Sequence, residues 1–177
     1  MQSKLIPPTF LRVLLLVIAA AIASACQRSA AVRMHESFSL GDFNYSIESA
    51  KVESQPARSI ALRPPRPDRV YLIVSYRLTN NGNVSIDVGL PPFELRAEDG
   101  RRFQPDLLVS LLHPVERAEQ SGSLGAMAEV LNTQLHPGLS GTYEVAFSLP
   151  KDAATQRLYL TASRGWLGSG QTIVSLN

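Results

Sequence analysis

The chain has 177 residues, 45% of them apolar and 18% charged, with a formal net charge of +2. That size and balance suit one globular domain plus a short extra segment, and they offer no electrostatic footprint for nucleic acid or for steering an acidic partner. The chain has a single cysteine, which excludes an internal disulfide, so the fold must stand on burial alone.

Residues 1–25 are set apart from the fold. Lys4 and Arg12 make a short basic region, and residues 13–25 carry no charge. A membrane-spanning helix needs about 20 apolar residues, so this run fits a signal-peptide core better than a span. It ends in Ala23-Ser24-Ala25-Cys26. Here the segment resembles a bacterial lipoprotein signal peptide, in which small residues precede a cysteine that is acylated and becomes the first residue of the mature chain. The resemblance makes Cys26 the lipidation site. The same residues also read as an ordinary secretory signal cut near Ala25, or as an uncleaved anchor. Without the segment ahead of Cys26, Lys4 and Arg12 are lost and the remaining basic residues balance the 15 acidic ones. The pI of about 8.9 for the whole chain therefore overstates the basicity of an exported form.

Residues 26–36 are polar and without a sustained period, which reads as a tether. Arg28 and Arg33 within it either rest on anionic head groups, at about 1 kcal/mol each, or are solvated. The body of the protein is expected over residues 37–177. Phe38 and Leu40 alternate, Gly41-Asp42 breaks the run, and Phe43, Tyr45 and Ile47 alternate again. The period then slips towards Ala50 and Val52, which predicts a β-bulge near Ser49. Residues 54–69 hold four prolines and read as a connection, because proline lacks the ladder donor. Arg58, Arg63, Arg66 and Arg69 against Asp68 make it locally basic, so it is either a dock for phosphates or wall polymers or a solvated loop.

Residues 70–88 give the clearest strand. Val70, Leu72, Val74, Tyr76 and Leu78 form one apolar face, worth on the order of 7–15 kcal/mol on burial before entropy is subtracted. Asn81-Gly82 follows and predicts a type I′ hairpin, with Val84, Ile86 and Val88 on the return strand. Phe93, Leu95 and Ala97 alternate next, and Asp99-Gly100 predicts a second hairpin. Residues 106–112 read as a strand or one helical turn, and 114–125 as a long loop. His136-Pro137-Gly138-Leu139 has the type II turn pattern. Tyr143, Val145, Phe147 and Leu149 then mark a strand ended by Pro150, with two more at 158–162 and 172–176. No window of 11 residues or more shows a sustained helical period. Seven to nine short strands joined by turns and crossing connections predict an all-β antiparallel sandwich.

Three stretches, taken in order, resemble a bacterial immunoglobulin-like domain of unknown function. They are YLIVSYRLTNNG at 71–82, FELRAEDGRRF at 93–103, and HPGLSGTYEVAFSLPKDA at 136–153 followed by RLYLTA. That family is common in lipoproteins and is similar to small secreted mycobacterial immunoprotective antigens. The resemblance implies an immunoglobulin-like β-sandwich, an extracytoplasmic location and no catalytic residues. The stretches at 56–69 and 104–127 depart from it.

A search for chemistry finds no nucleophile elbow, His-Glu-x-x-His or phosphate-binding loop. His35, His113 and His136 read as turn or loop residues rather than ligands. Met34-His35, or Met127 with His136, pair the donors that copper favours, with nothing else in support. Trp166, the only tryptophan, lies in a Gly-rich stretch and either closes the sandwich end or anchors a partner. The expectation is a lipid-anchored extracytoplasmic binding or scaffolding module of the cell envelope. It has no catalytic, metal or cofactor residues, and its protein or envelope-polymer contacts would come from Arg58, Arg63, Arg66, Arg69 and Trp166. Gln27 after the cysteine, by the same resemblance, favours the outer membrane where a cell has two. A small-ligand or metal carrier is the alternative, and a hydrolase the next.

Overall fold

The computed structural model describes residues 32–54, 66–89, 91–122, 134–163 and 171–176. All lie in the compact unit Ala31–Asn177. In chain order the elements are β1 (Val32–Arg33), β2 (Ser37–Leu40), β3 (Phe43–Glu53), β4 (Arg69–Asn80), β5 (Ile86–Asp87), β6 (Phe93–Ala97), β7 (Arg102–Phe103), α1 (Leu107–Ser121), β8 (Gln134–Leu135), β9 (Ser140–Pro150), α2 (Lys151–Ala154), β10 (Leu158–Ser163) and β11 (Gln171–Ser175). One sheet has the order β2-β3-β4-β9, the other β1-β11-β10-β6-β7, and β5 with β8 forms a small ladder. Every pair is antiparallel except β1 with β11.

The two sheets meet through alternating residues. Val70, Leu72, Val74, Tyr76 and Leu78 of β4 are all buried, as their period demands, with Val145, Phe147 and Leu149 of β9 beside them. Facing them are Phe93, Leu95 and Ala97 of β6, Leu158, Leu160 and Ala162 of β10, and Val174. Phe93 joins the layers, its ring edge-on to Tyr76 at 5.1 Å and to Tyr45 at 5.6 Å between centroids. This is the immunoglobulin-like antiparallel β-sandwich expected from the pattern. Its seven longer strands meet the expected count, and four further two-residue strands make eleven among the described residues. The bulge is present, where the register shifts between Ile47 and Ser49. Gly41, Gly100 and Gly138 take φ of 63°, 90° and 76°, and the Leu139 amide donates to the His136 carbonyl at 3.1 Å as a type II turn requires.

Three expectations need correction. First, residues 70–88 are not a hairpin. β4 pairs with β3 and β9, while Ile86 pairs with Leu135. Gly82 does not adopt positive φ, so no type I′ turn forms. Instead Asn80, fully buried, donates through Nδ2 to the Val84 and Leu135 carbonyls at 2.8 and 2.9 Å and accepts from the Gly82 amide at 2.9 Å. Those bonds turn the chain away from the sheet and towards β8.

Second, 107–121 is a helix despite Pro114 inside it. Proline removes one i→i−4 bond, and tertiary contacts hold what remains. Asp106 Oδ1 accepts the Val109 amide at 3.2 Å as an N-terminal cap. The Asp106 amide donates to the Ala146 carbonyl at 2.7 Å, and the Ala146 amide donates to Ser110 Oγ at 2.9 Å. The helix start thus satisfies both backbone groups of Ala146 on the open edge of β9, a place where another chain could otherwise pair. Val109 packs on Ile73 and Ala146 on the outer face of the β4–β9 pair.

Third, the stretch read as a tether ends early. Val32 and Arg33 pair with Val174 and Ser175, and the His35 amide donates to the Ile47 carbonyl at 2.9 Å.

Candidate functional site

Cys26, Arg58, Arg63 and Trp166 lie outside the described residues. Of the basic stretch, Arg66 is exposed and Arg69 is half-buried. Arg69 Nε donates to Ser148 Oγ at 2.8 Å, and its terminal nitrogen reaches the Ser148 carbonyl. Arg69 therefore ties β4 to β9, a structural task that occupies the guanidinium expected to meet a partner. Met34 packs against the core, and Met127 is outside the described residues. Among the described residues no group of three His, Cys, Asp or Glu is placed to hold a metal.

The folded chain makes a concave site that sequence reasoning missed. Phe43 and Tyr45 of β3, Tyr76 and Leu78 of β4, and Ile86, Asp87, Val88, Gly89, Pro91 and Pro92 surround a cavity of about 270 Å³. The Asn80 bonds and the β5–β8 ladder position its 86–89 wall. The volume is just below the usual range for small-ligand pockets, and the lining is apolar with two phenols and one carboxylate. Burial pushes the Tyr76 hydroxyl well above the ordinary tyrosine range, and neighbouring Tyr45 and Tyr143 add to it. Burial raises Tyr45 as well. Like any tyrosine at neutral pH, both are protonated, and both line the recess. The signal for this site was split across 43–92, with each aromatic residue indistinguishable in sequence from core.

One histidine was also misread. His113 sits on α1, nearly buried, with Nδ1 2.7 Å from Glu144 Oε2 and Nε2 3.5 Å from Glu53 Oε2. Glu53 and Glu144 come from the outer face of the β3-β4-β9 sheet, opposite Tyr71 and Ser75 of β4. With both ring nitrogens facing carboxylates, the arrangement pins a helix to a sheet. His136 Nδ1 lies 2.7 Å from Ser85 Oγ in an exposed pair. Among the described residues no helix is long and apolar enough to cross a membrane.

Fold and cavity define a β-sandwich domain with a small aromatic recess at one end. Residues 32–170 match the family described as "Domain of unknown function (DUF4352)", and the chain belongs to that family. Three solved structures are similar. A conserved hypothetical protein from Bacillus anthracis is 18% identical, with 82% of this chain and 95% of that one covered and a TM-score of 0.56. An uncharacterized beta-sandwich protein from Clostridium difficile is 9% identical, covering 85% and 97%, with a TM-score of 0.50. The yjhA protein from Bacillus subtilis is 17% identical, covering 82% and 99%, again with a TM-score of 0.50. At these identities the likeness concerns the fold alone. No curated protein matches the chain.

Proposed function

We propose that the chain is a lipid-anchored extracytoplasmic module of a bacterial cell envelope, held by acyl chains on Cys26 and acting by binding or scaffolding rather than catalysis. One observation carries the reading: the only cysteine directly follows Ala23-Ser24-Ala25 and an uncharged run, a few residues ahead of Val32 in β1, the first strand among the described residues. The non-catalytic part is supported by the absence of nucleophile and metal motifs from the sequence and by the engagement of both His113 nitrogens with carboxylates. The outer membrane, suggested by Gln27, and the likeness to secreted mycobacterial antigens belong to this reading. So does an envelope polymer or protein, rather than nucleic acid, as the partner. Metabolic labelling with a palmitate analogue tests it. The wild-type protein takes label and Cys26→Ala takes none; label on the variant, or none on the wild type, overturns it.

The 270 Å³ recess with Tyr45, Tyr76 and Asp87 on its walls supports a second reading, a carrier of a small apolar ligand bearing a hydrogen-bond acceptor. Native mass spectrometry of protein taken from its own cells shows a bound mass if this holds. A clean apo mass counts against it.

A further inference from the structure

Strand register sets five outward side chains in one line across the five-stranded sheet. Val32, Val174, Leu160 and Leu95 stand level with one another and pack in the core. Successive residues of a strand point to opposite faces, so the next row points out. In that row Arg33 pairs with Ser175, Ser175 with Tyr159, Tyr159 with Arg96, and Arg96 with Arg102. Arg33 and Arg102 are exposed, and Ser175, Tyr159 and Arg96 are half-buried. Neighbouring strands lie about 4.8 Å apart, so at the backbone Arg33 is about 14 Å from Arg96 and about 19 Å from Arg102.

The protein leaves much of this positive charge unanswered. Arg96 and Arg102 stand directly opposite each other on adjacent strands, where like charges repel. Arg102 Nε lies 3.7 Å from Glu94 Oε1, and Glu94 Oε2 accepts from Gln104 Nε2 at 3.1 Å. Glu94 and Glu98 flank Arg96 along β6, yet among the described residues neither forms an ion pair with it. Arg96 Nε is sealed from solvent without a hydrogen-bond partner. Glu36 Oε2 accepts from the Arg33 amide at 3.0 Å and not from its guanidinium. The Arg33 side chain and the Tyr159 hydroxyl also have no partner among the described residues.

We propose that this row is the docking line for a linear polymer that carries phosphate groups. That the polymer belongs to the cell envelope rests on the location proposed above. A guanidinium keeps its charge at any working pH and presents its N–H groups as a planar fork that matches phosphate oxygens. A phosphate between Arg96 and Arg102 cancels their repulsion, with Tyr159 next in line. Arg33 lies three strands further on, so an extended chain engages the whole row, whereas a single phosphate engages only its Arg96–Arg102 end.

The test uses the full chain, purified from cells in detergent and titrated with a synthetic poly(glycerol phosphate) oligomer. Intact mass reports acylation on the same samples, and circular dichroism confirms the fold of each variant. The expected result is saturable binding that weakens as salt rises. Affinity falls at least about tenfold when Arg96→Gln and Arg102→Gln are combined, and by less in Arg33→Gln. Arg77→Gln, on β4 of the other sheet, is the control and binds as the wild type does. No saturable binding by the wild type, or equal binding by the double variant, overturns the inference. An unchanged affinity in Arg33→Gln means a site for one phosphate rather than a line for a chain, which also overturns it. So does equal affinity for poly-L-glutamate, which shows charge alone at work, or tighter binding of single-stranded DNA, which shows a nucleic-acid surface. An acylated protein that does not bind leaves the anchor standing; an unacylated one that binds keeps the docking line and overturns the anchor.

Discussion

His113 Nδ1 lies 2.7 Å from Glu144 Oε2, with the two side chains 8% and 6% exposed. The bond joins the middle of α1 to β9, the edge strand that the start of the same helix protects. Replacing the ring by an apolar one of similar size leaves a buried carboxylate without its imidazole. His113→Leu should therefore cost about 1–3 kcal/mol in urea unfolding. Glu53→Gln should cost less, since Glu53 is 35% exposed and 3.5 Å from Nε2. A double-mutant cycle with Glu144→Gln should show coupling, because each partner loses its value when the other is gone.

Asn80 fixes the wall of the aromatic recess by donating to two carbonyls and accepting from one amide. Asn80→Ala strands all three groups and is expected to lower stability by about 3 kcal/mol. Asn80→Asp is expected to be worse, since a carboxylate cannot donate to the Val84 and Leu135 carbonyls. Hydrogen exchange should show the 84–88 backbone opening in both variants, while β4 and β9 keep their protection.

The sandwich was legible because its evidence is local. Alternation at 70–78 and 143–149 forces a buried face, and Gly41, Gly100 and Gly138 mark turns that only positive φ can make. Asn81-Gly82 misled because the dipeptide permits a hairpin without requiring one, and the long-range bond from Asn80 to Leu135 carries no sequence signal. The helix α1 was hidden for a related reason. Its buried face is built on Val109 and His113, whereas Leu107, Leu108 and Leu111 point to solvent, so its apolar pattern advertises the wrong side. Pro114 then removed the remaining helical signal. The His113–Glu144 pair spans 31 positions and crosses element types, which no spacing rule anticipates.

Val74 is fully buried at the centre of β4, between Ala50 and Val145 of the flanking strands. Val74→Asp places a charge where neither water nor a partner is available, at a cost of at least about 4 kcal/mol. That is comparable with the whole stability of many domains. The variant is expected to lack a cooperative thermal transition by circular dichroism. An unchanged midpoint would show that this face is not the core.

Acid sensitivity should trace to the far end of the sandwich. Arg101 lies 2.7 Å from both Asp99 Oδ2 and Asp152 Oδ2, and Gln156 Nε2 donates to Asp99 Oδ2 at 2.9 Å. Hydrogen bonding to Arg101 holds the Asp99 carboxyl down to about 2, with Gln156 contributing, and lowers Asp152 as well. A carboxyl whose folded pKa is depressed adds stability above its unfolded value and loses that contribution as pH falls through the folded one. The thermal midpoint should therefore fall as pH drops from about 4 to about 2. These groups lie at the surface, so the effect should be modest and should shrink in high salt. Arg101→Gln should flatten the acid limb by lowering the neutral midpoint modestly, while the midpoint near pH 2 stays close to that of the wild type. An acid limb as steep in the variant as in the wild type would assign the loss to other carboxylates.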